Sequence, residues 1–101
     1  MMRLLSWNVQ WCRGIDGRVD PARIAAEARR LADADVLCLQ EIAVNYPEMP
    51  GSKGEDQVEA FRREFPDYAL FFAAGVDLPG SGGRRRQFGN LLLSRLPVGR
   101  V

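Results

Sequence analysis

A mixed α+β fold, with four short strands and two helices, is what this sequence predicts. Three observations carry it. Two apolar runs of strand length, residues 3–9 and 35–42, flank a stretch with helical periodicity. A second helical stretch follows at residues 58–65, and two further apolar runs occupy residues 68–74 and 88–95. Strand, helix, strand within roughly forty residues is a βαβ unit, so its strands should run parallel and end on one edge of the sheet.

Residues 3–9, RLLSWNV, are apolar enough to predict a strand covered on both faces, interrupted by Asn8. Gly14 to Gly17 marks a turn, and Asp20-Pro21 opens a helix with a side-chain acceptor at the cap and a fixed φ behind it. Ile24, Ala25, Ala28, Leu31 and Ala32 form the apolar stripe of about three helical turns. Arg23, Glu27 and Arg30 face water, with Glu27 in reach of both arginines. DVLCLQEI, residues 35–42, is the second strand, stopping at Gln40-Glu41, which brings Glu41 to the edge where Asn8 lies.

NYPEMPGSKG within residues 43–55 is a loop by composition and long enough to suggest a function. Val58, Phe61 and Phe65 predict a second helix that ends before Pro66. Residues 75–87, GVDLPGSGGRRRQ, predict a flexible glycine-rich loop ending in Arg84, Arg85 and Arg86, and the fourth strand is closed by Pro97. Val98 and Val101 resemble the start of another element, which sets the expectation that residues 1–101 are the N-terminal part of one larger domain.

Fourteen Lys plus Arg against thirteen Asp plus Glu leave a net charge of +1, so any attraction to phosphate must be local. That balance weighs against a nuclease gripping DNA through a broad basic face. Histidine is absent, and Cys12 and Cys38 fall in no zinc-binding spacing, which argues against zinc and Ser-His or Cys-His chemistry in this segment. No apolar run approaches a membrane span or a signal peptide, and free thiols lead to the expectation of a cytoplasmic setting. GSGGRRR lacks the Gly-Lys-Ser/Thr that a P-loop requires.

A buried amide left unpaired costs about 1–3 kcal/mol, so Asn8 either closes a hydrogen-bond network or faces a cleft. Glu41 favours the cleft, because a carboxylate closing a buried strand needs a cation or donors beside it. An amide and a carboxylate at one edge of a parallel pair suit a hard divalent ion with bound water and phosphate. Trp7 and Trp11 read as core, Trp11 alternatively as cleft rim, and Cys38 reads as a small core hydrophobe.

SWNVQW, DVLCLQE and FGNLLLSRLPV, in that order, resemble the first three signature blocks of the endonuclease/exonuclease/phosphatase family of metal-dependent phosphoesterases. The resemblance implies the DNase I-like α/β/β/α sandwich, of which this chain would supply the first sheet and its outer helices. It implies that Glu41 binds Mg²⁺, with Mn²⁺ as the alternative ion, and that Asn8 hydrogen-bonds beside the metal and the scissile phosphate. Gln40 would orient the site, Asn90 and Ser94 would build a neighbouring strand, and Arg84, Arg85, Arg86 and Asn90 are candidate substrate contacts. The family's later blocks, including an aspartate–asparagine pair, a further acidic metal site and a histidine, have no counterpart here, so the segment alone is expected not to turn over.

The implied substrate is a phosphate ester: nucleic acid, phospholipid headgroup or small phosphorylated molecule. The alternative is a non-catalytic half-domain that binds a partner chain. Either way, half a sandwich should expose the inner face of its sheet through Leu91, Leu93 or their neighbours, inviting self-association.

Overall fold

The computed structural model describes residues 2–97, so the element expected from Val98 onward lies outside the described residues. In chain order the elements are β1 (Leu4–Asn8), α1 (Pro21–Leu31), β2 (Val36–Val44), α2 (Gln57–Glu64), β3 (Ala69–Pro79), a 3-10 turn (Ser81–Gly83) and β4 (Arg85–Ser94). The strands form one sheet in the order β1-β2-β4-β3. β1 and β2 run parallel with Asn8 beside Gln40, as the βαβ reading requires, and β4 lies antiparallel to both β2 and β3.

The local signals behave as expected at the helices. Asp20 caps α1 by accepting from the Arg23 amide, and Asp56 caps α2 by accepting from the Glu59 amide. Ile24, Ala25 and Ala28 of α1 meet Phe61 and Phe65 over the sheet residues Leu37, Leu39, Leu91 and Leu93. Burying a side chain such as Phe61 contributes about 1.5–3 kcal/mol. Of the three residues expected to face water, Arg30 pairs with Glu27, but Arg23 turns back across the Gly14–Gly17 turn to Asp16 at 2.8 Å. That bond lowers the Asp16 carboxyl from its ordinary 3.8 to about 2, with the Arg18 amide helping.

Five expectations need correction. β1 is an edge strand with one covered face: Leu5 and Trp7 pack on the core while Leu4 points out. β2 does not stop at Gln40-Glu41 but continues to Val44 through a bulge between Leu39 and Ile42. The segment 75–87 is not a flexible loop, because β3 and β4 pair as far as Pro79 and Arg85 and absorb Gly75 as a second bulge. Only residues 80–84 turn the chain. Finally, Leu91 and Leu93 are buried under the helices; their neighbours carry the exposure, with Leu4 at 57%, Phe71 at 45% and Leu92 at 36%. Cys38 shares that open face, half-buried, and is not a core residue.

At the edge away from Asn8, Arg95 donates to Asp33 at 2.7 Å and to Asp35 at 2.9 Å. Asp35 also accepts from the Arg3 amide, and these bonds hold both carboxyls below their ordinary range, for Asp35 chiefly through the Arg3 amide and for Asp33 chiefly through Arg95.

Candidate functional site

The expected meeting of Asn8 and Glu41 takes place, by a route different from the expected one. Gln40 and Glu41 are the two residues of β2 that bulge opposite Asn90 of β4, and Glu41 adopts a left-handed φ of 62°. A bulge re-aims its side chains, and the Asn8 Nδ2 here donates to the Glu41 Oε2. The Asn8 Oδ1 accepts from the Gln10 amide at 3.1 Å, which fixes the orientation of the side-chain amide: turned over, a carbonyl oxygen would face the carboxylate. Glu41 is half-buried, and its Oε1 has no hydrogen-bond partner among the described residues.

The chain after Asn8 makes a single left-handed turn from residues that are not glycine: Gln10, Trp11 and Cys12 have φ of 50°, 45° and 62°. Each such residue costs about 1–2 kcal/mol, so the turn persists only because its surroundings over-determine it. Trp11 N–H donates to the Glu41 carbonyl at 2.6 Å, Cys12 is fully buried, and the Cys12 carbonyl accepts from Asp20 at 3.0 Å. Burial, with Glu55 and Asp20 adding to it, pushes the Cys12 thiol far up, so it packs as an inert hydrophobe.

Gln57, at the start of α2, joins the two segments. Fully buried, it accepts from the Ala43 amide at 2.9 Å and donates to the Trp11 carbonyl at 2.8 Å. It therefore clamps the backbone just beyond Asn8 to the backbone just beyond Glu41. The sequence reading did not single it out. The available signal was spacing, because Gln57 lies one and two helical turns before Phe61 and Phe65 and so shares their apolar stripe.

The remaining candidates divide. Asn90 faces the bulge and is exposed. The Gln40 amide donates to Ser6 Oγ at 3.0 Å and to the Cys38 carbonyl at 3.3 Å, and among the described residues it makes no bond to Glu41. Ser94 is a buried local cap on Leu96. Arg85 pairs with Asp77 at 2.8 Å, while Arg86 pairs with Glu48 at 2.8 Å and lies over the Tyr46 ring. Trp7 packs against the core as expected. Trp11 is half-buried, tilts against Phe88 at 6.3 Å and donates its indole N–H to the Pro50 carbonyl at 2.8 Å.

As a donor set, one carboxylate with a free oxygen beside an oriented amide fits a hard divalent cation that keeps several waters and meets substrate phosphate. Among the described residues no group of three or more His, Cys, Asp or Glu comes together, so further ligands for such an ion come from water, phosphate or other residues. Among those residues, too, no helix is long and apolar enough to cross a membrane.

The model of the endonuclease/exonuclease/phosphatase family matches residues 5–101. Among solved structures, an endonuclease/exonuclease/phosphatase family protein from Leptotrichia buccalis C-1013-b superimposes with a TM-score of 0.62 at 19% identity, over 99% of this chain and 40% of that one. This chain thus spans 40% of that protein's length, and at that identity the likeness is one of fold. No curated protein matches the sequence.

Proposed function

Since the chain belongs to the endonuclease/exonuclease/phosphatase family, we propose that Glu41 and Asn8 form the first part of a metal-dependent phosphoesterase centre. The hydrogen bond between their side chains, made across two parallel strands at a bulge, carries this reading. Glu41 would hold Mg²⁺ or Mn²⁺ through its free Oε1. When bound, such an ion supplies charge stabilisation at the phosphoryl and leaving oxygens.

Asn8 has a second N–H on Nδ2 beyond the one given to Glu41, free to donate to a phosphoryl oxygen. Because Gln10 already fixes that amide, the donor needs no reorganisation as charge develops. Asn90, across the bulge, would border the same phosphate. The base for the attacking water comes from residues beyond these. The two unpaired thiols support a cytoplasmic location.

The test uses the full-length protein and Mn²⁺ as probe, read by isothermal titration and electron paramagnetic resonance. Glu41→Gln should weaken Mn²⁺ binding by about tenfold or more and abolish Mg²⁺-dependent hydrolysis of bis-p-nitrophenyl phosphate. Unchanged Mn²⁺ binding and hydrolysis in that variant would overturn the assignment. The apolar open face with Leu4, Phe71 and Leu92 favours the second reading, a binding half-domain, under which the unmutated protein binds no Mn²⁺ at this site.

A further inference from the structure

Resting on that reading of Glu41, we propose that Trp11 is a positioning residue of the centre, fixing the strained turn that aims Asn8 and Glu41 by fastening it to the tip of the loop after β2. Two adjacent amides of the turn hold the two site residues. The Gln10 N–H donates to the Asn8 Oδ1 at 3.1 Å, and the Trp11 N–H donates to the Glu41 carbonyl at 2.6 Å. Both amides belong to residues with left-handed φ, so both bonds rest on whatever keeps the turn from relaxing.

The side chains of the turn divide that task unequally. Gln10 is exposed, and its side chain makes no hydrogen bond among the described residues, while Cys12 fills the core beneath. Trp11 carries the outward ties. Its ring tilts against Phe88 of β4 at 6.3 Å, its carbonyl accepts from Gln57 of α2 at 2.8 Å, and its indole N–H donates to the Pro50 carbonyl at 2.8 Å. An indole meets two of these demands at once, an apolar ring for Phe88 and a donor for Pro50.

Pro50 can serve as a support because the loop around it is compact, of the Ω type. The ends of residues 45–56 are tied by the Asn45 N–H on the Glu55 carbonyl at 3.0 Å and by a bridge between Val44 and Asp56. On either side of Pro50, the Met49 N–H donates to the Tyr46 carbonyl at 3.2 Å and the Ser52 N–H to the Met49 carbonyl at 2.9 Å. Gly51 meets the Gly17 carbonyl so closely that a β-carbon there would lie 2.6 Å from its oxygen. The loop's other flank faces Arg84 and Arg86 across a groove, and Arg86 pairs with Glu48 at 2.8 Å. The indole N–H thus joins a fixed acceptor to the turn that orients both site residues.

The test puts benzothienylalanine in place of Trp11 in the full-length protein, which exchanges the indole N–H for sulfur and keeps the ring, with Trp11→Phe as companion. In the metal-free protein, hydrogen exchange at the amides of residues 10 and 11 should rise by about fivefold, the effect of one hydrogen bond, while the Leu91 amide in β4 is unchanged. Mn²⁺ affinity should fall by about tenfold, and so should kcat for bis-p-nitrophenyl phosphate, with KM unchanged. A lowered melting temperature with the Mn²⁺ affinity and kcat of the unmutated protein would overturn the proposal and leave Trp11 a purely structural residue. A raised KM with kcat unchanged would overturn it in favour of a substrate contact. Unchanged exchange at residues 10 and 11 counts against Trp11 alone, because that experiment contains no metal, whereas failure of the Glu41→Gln test counts against the centre itself.

Discussion

Replacing Gln57 by leucine tests whether the two halves of the site are held by one buried side chain. The substitution keeps an apolar stem beside Phe61 but leaves the Ala43 N–H and the Trp11 carbonyl without partners. A buried polar group stranded in this way costs about 1–3 kcal/mol. Ala43 is fully buried and the Trp11 bond only partly so, which sets the combined loss at about 2–4 kcal/mol. That lowers the melting temperature by about 8–30 °C for a domain of 60–100 residues and by about 4–16 °C for one of 150–250 residues. Thermal denaturation followed by circular dichroism reads the global effect. Hydrogen exchange at the Ala43 and Trp11 amides reads the local one, and there protection should fall further than the loss of global stability explains. A destabilisation below about 1 kcal/mol with the Ala43 amide still protected would refute the clamp.

Gly89→Ala should be among the most damaging single changes, because its β-carbon would lie 2.0 Å from the Ala73 carbonyl oxygen and 2.8 Å from the Ala74 Cα, both backbone atoms that cannot rotate aside. A loss at or above the usual 1–3 kcal/mol of overpacking is expected in urea denaturation. Asp16 has a folded pKa below its unfolded one, so its bond to Arg23 stabilises fully above about pH 4 and is lost as pH falls towards 2. The stability difference between the unmutated protein and Arg23→Gln, measured by urea midpoints, should therefore shrink over that window and remain flat from pH 5 to 7. Gln10→Gly relieves an exposed left-handed residue at some cost in unfolded-chain entropy, and the net gain should be about 0–1 kcal/mol by thermal melts.

What the sequence made legible was whatever is written locally. Asp20-Pro21 places the start of α1, the stripe from Ile24 to Ala28 places its buried face, and two apolar runs around a helix force β1 and β2 parallel. From that alone Asn8 and Glu41 converge. Bulges are not written locally: Glu41 and Gly75 each add a residue that the partner strand does not match, and only the pairing with β4 reveals it. The same pairing turned the glycine-rich stretch from an apparent loop into a hairpin. Propensity at Gly75, Pro79 and Gly80 gave way to cross-strand pairing and to the bond between Asp77 and Arg85.

The left-handed residues explain why the site could not have been built from glycine. Glycine would reach these φ values without strain, yet Glu41 needs its carboxylate, Trp11 needs its ring against Phe88 and its N–H on Pro50, and Cys12 fills the core. Side chains with specific work therefore occupy three of the four strained positions around Asn8. At about 1–2 kcal/mol each, this strain is held by bonds that reach from Asp20, Glu41 and Gln57, three different segments of the chain. The hydrogen bond between Asn8 and Glu41 thus depends on the whole α2–β2–β1 corner, and a change at Gln57, which bonds to neither residue, should disturb it.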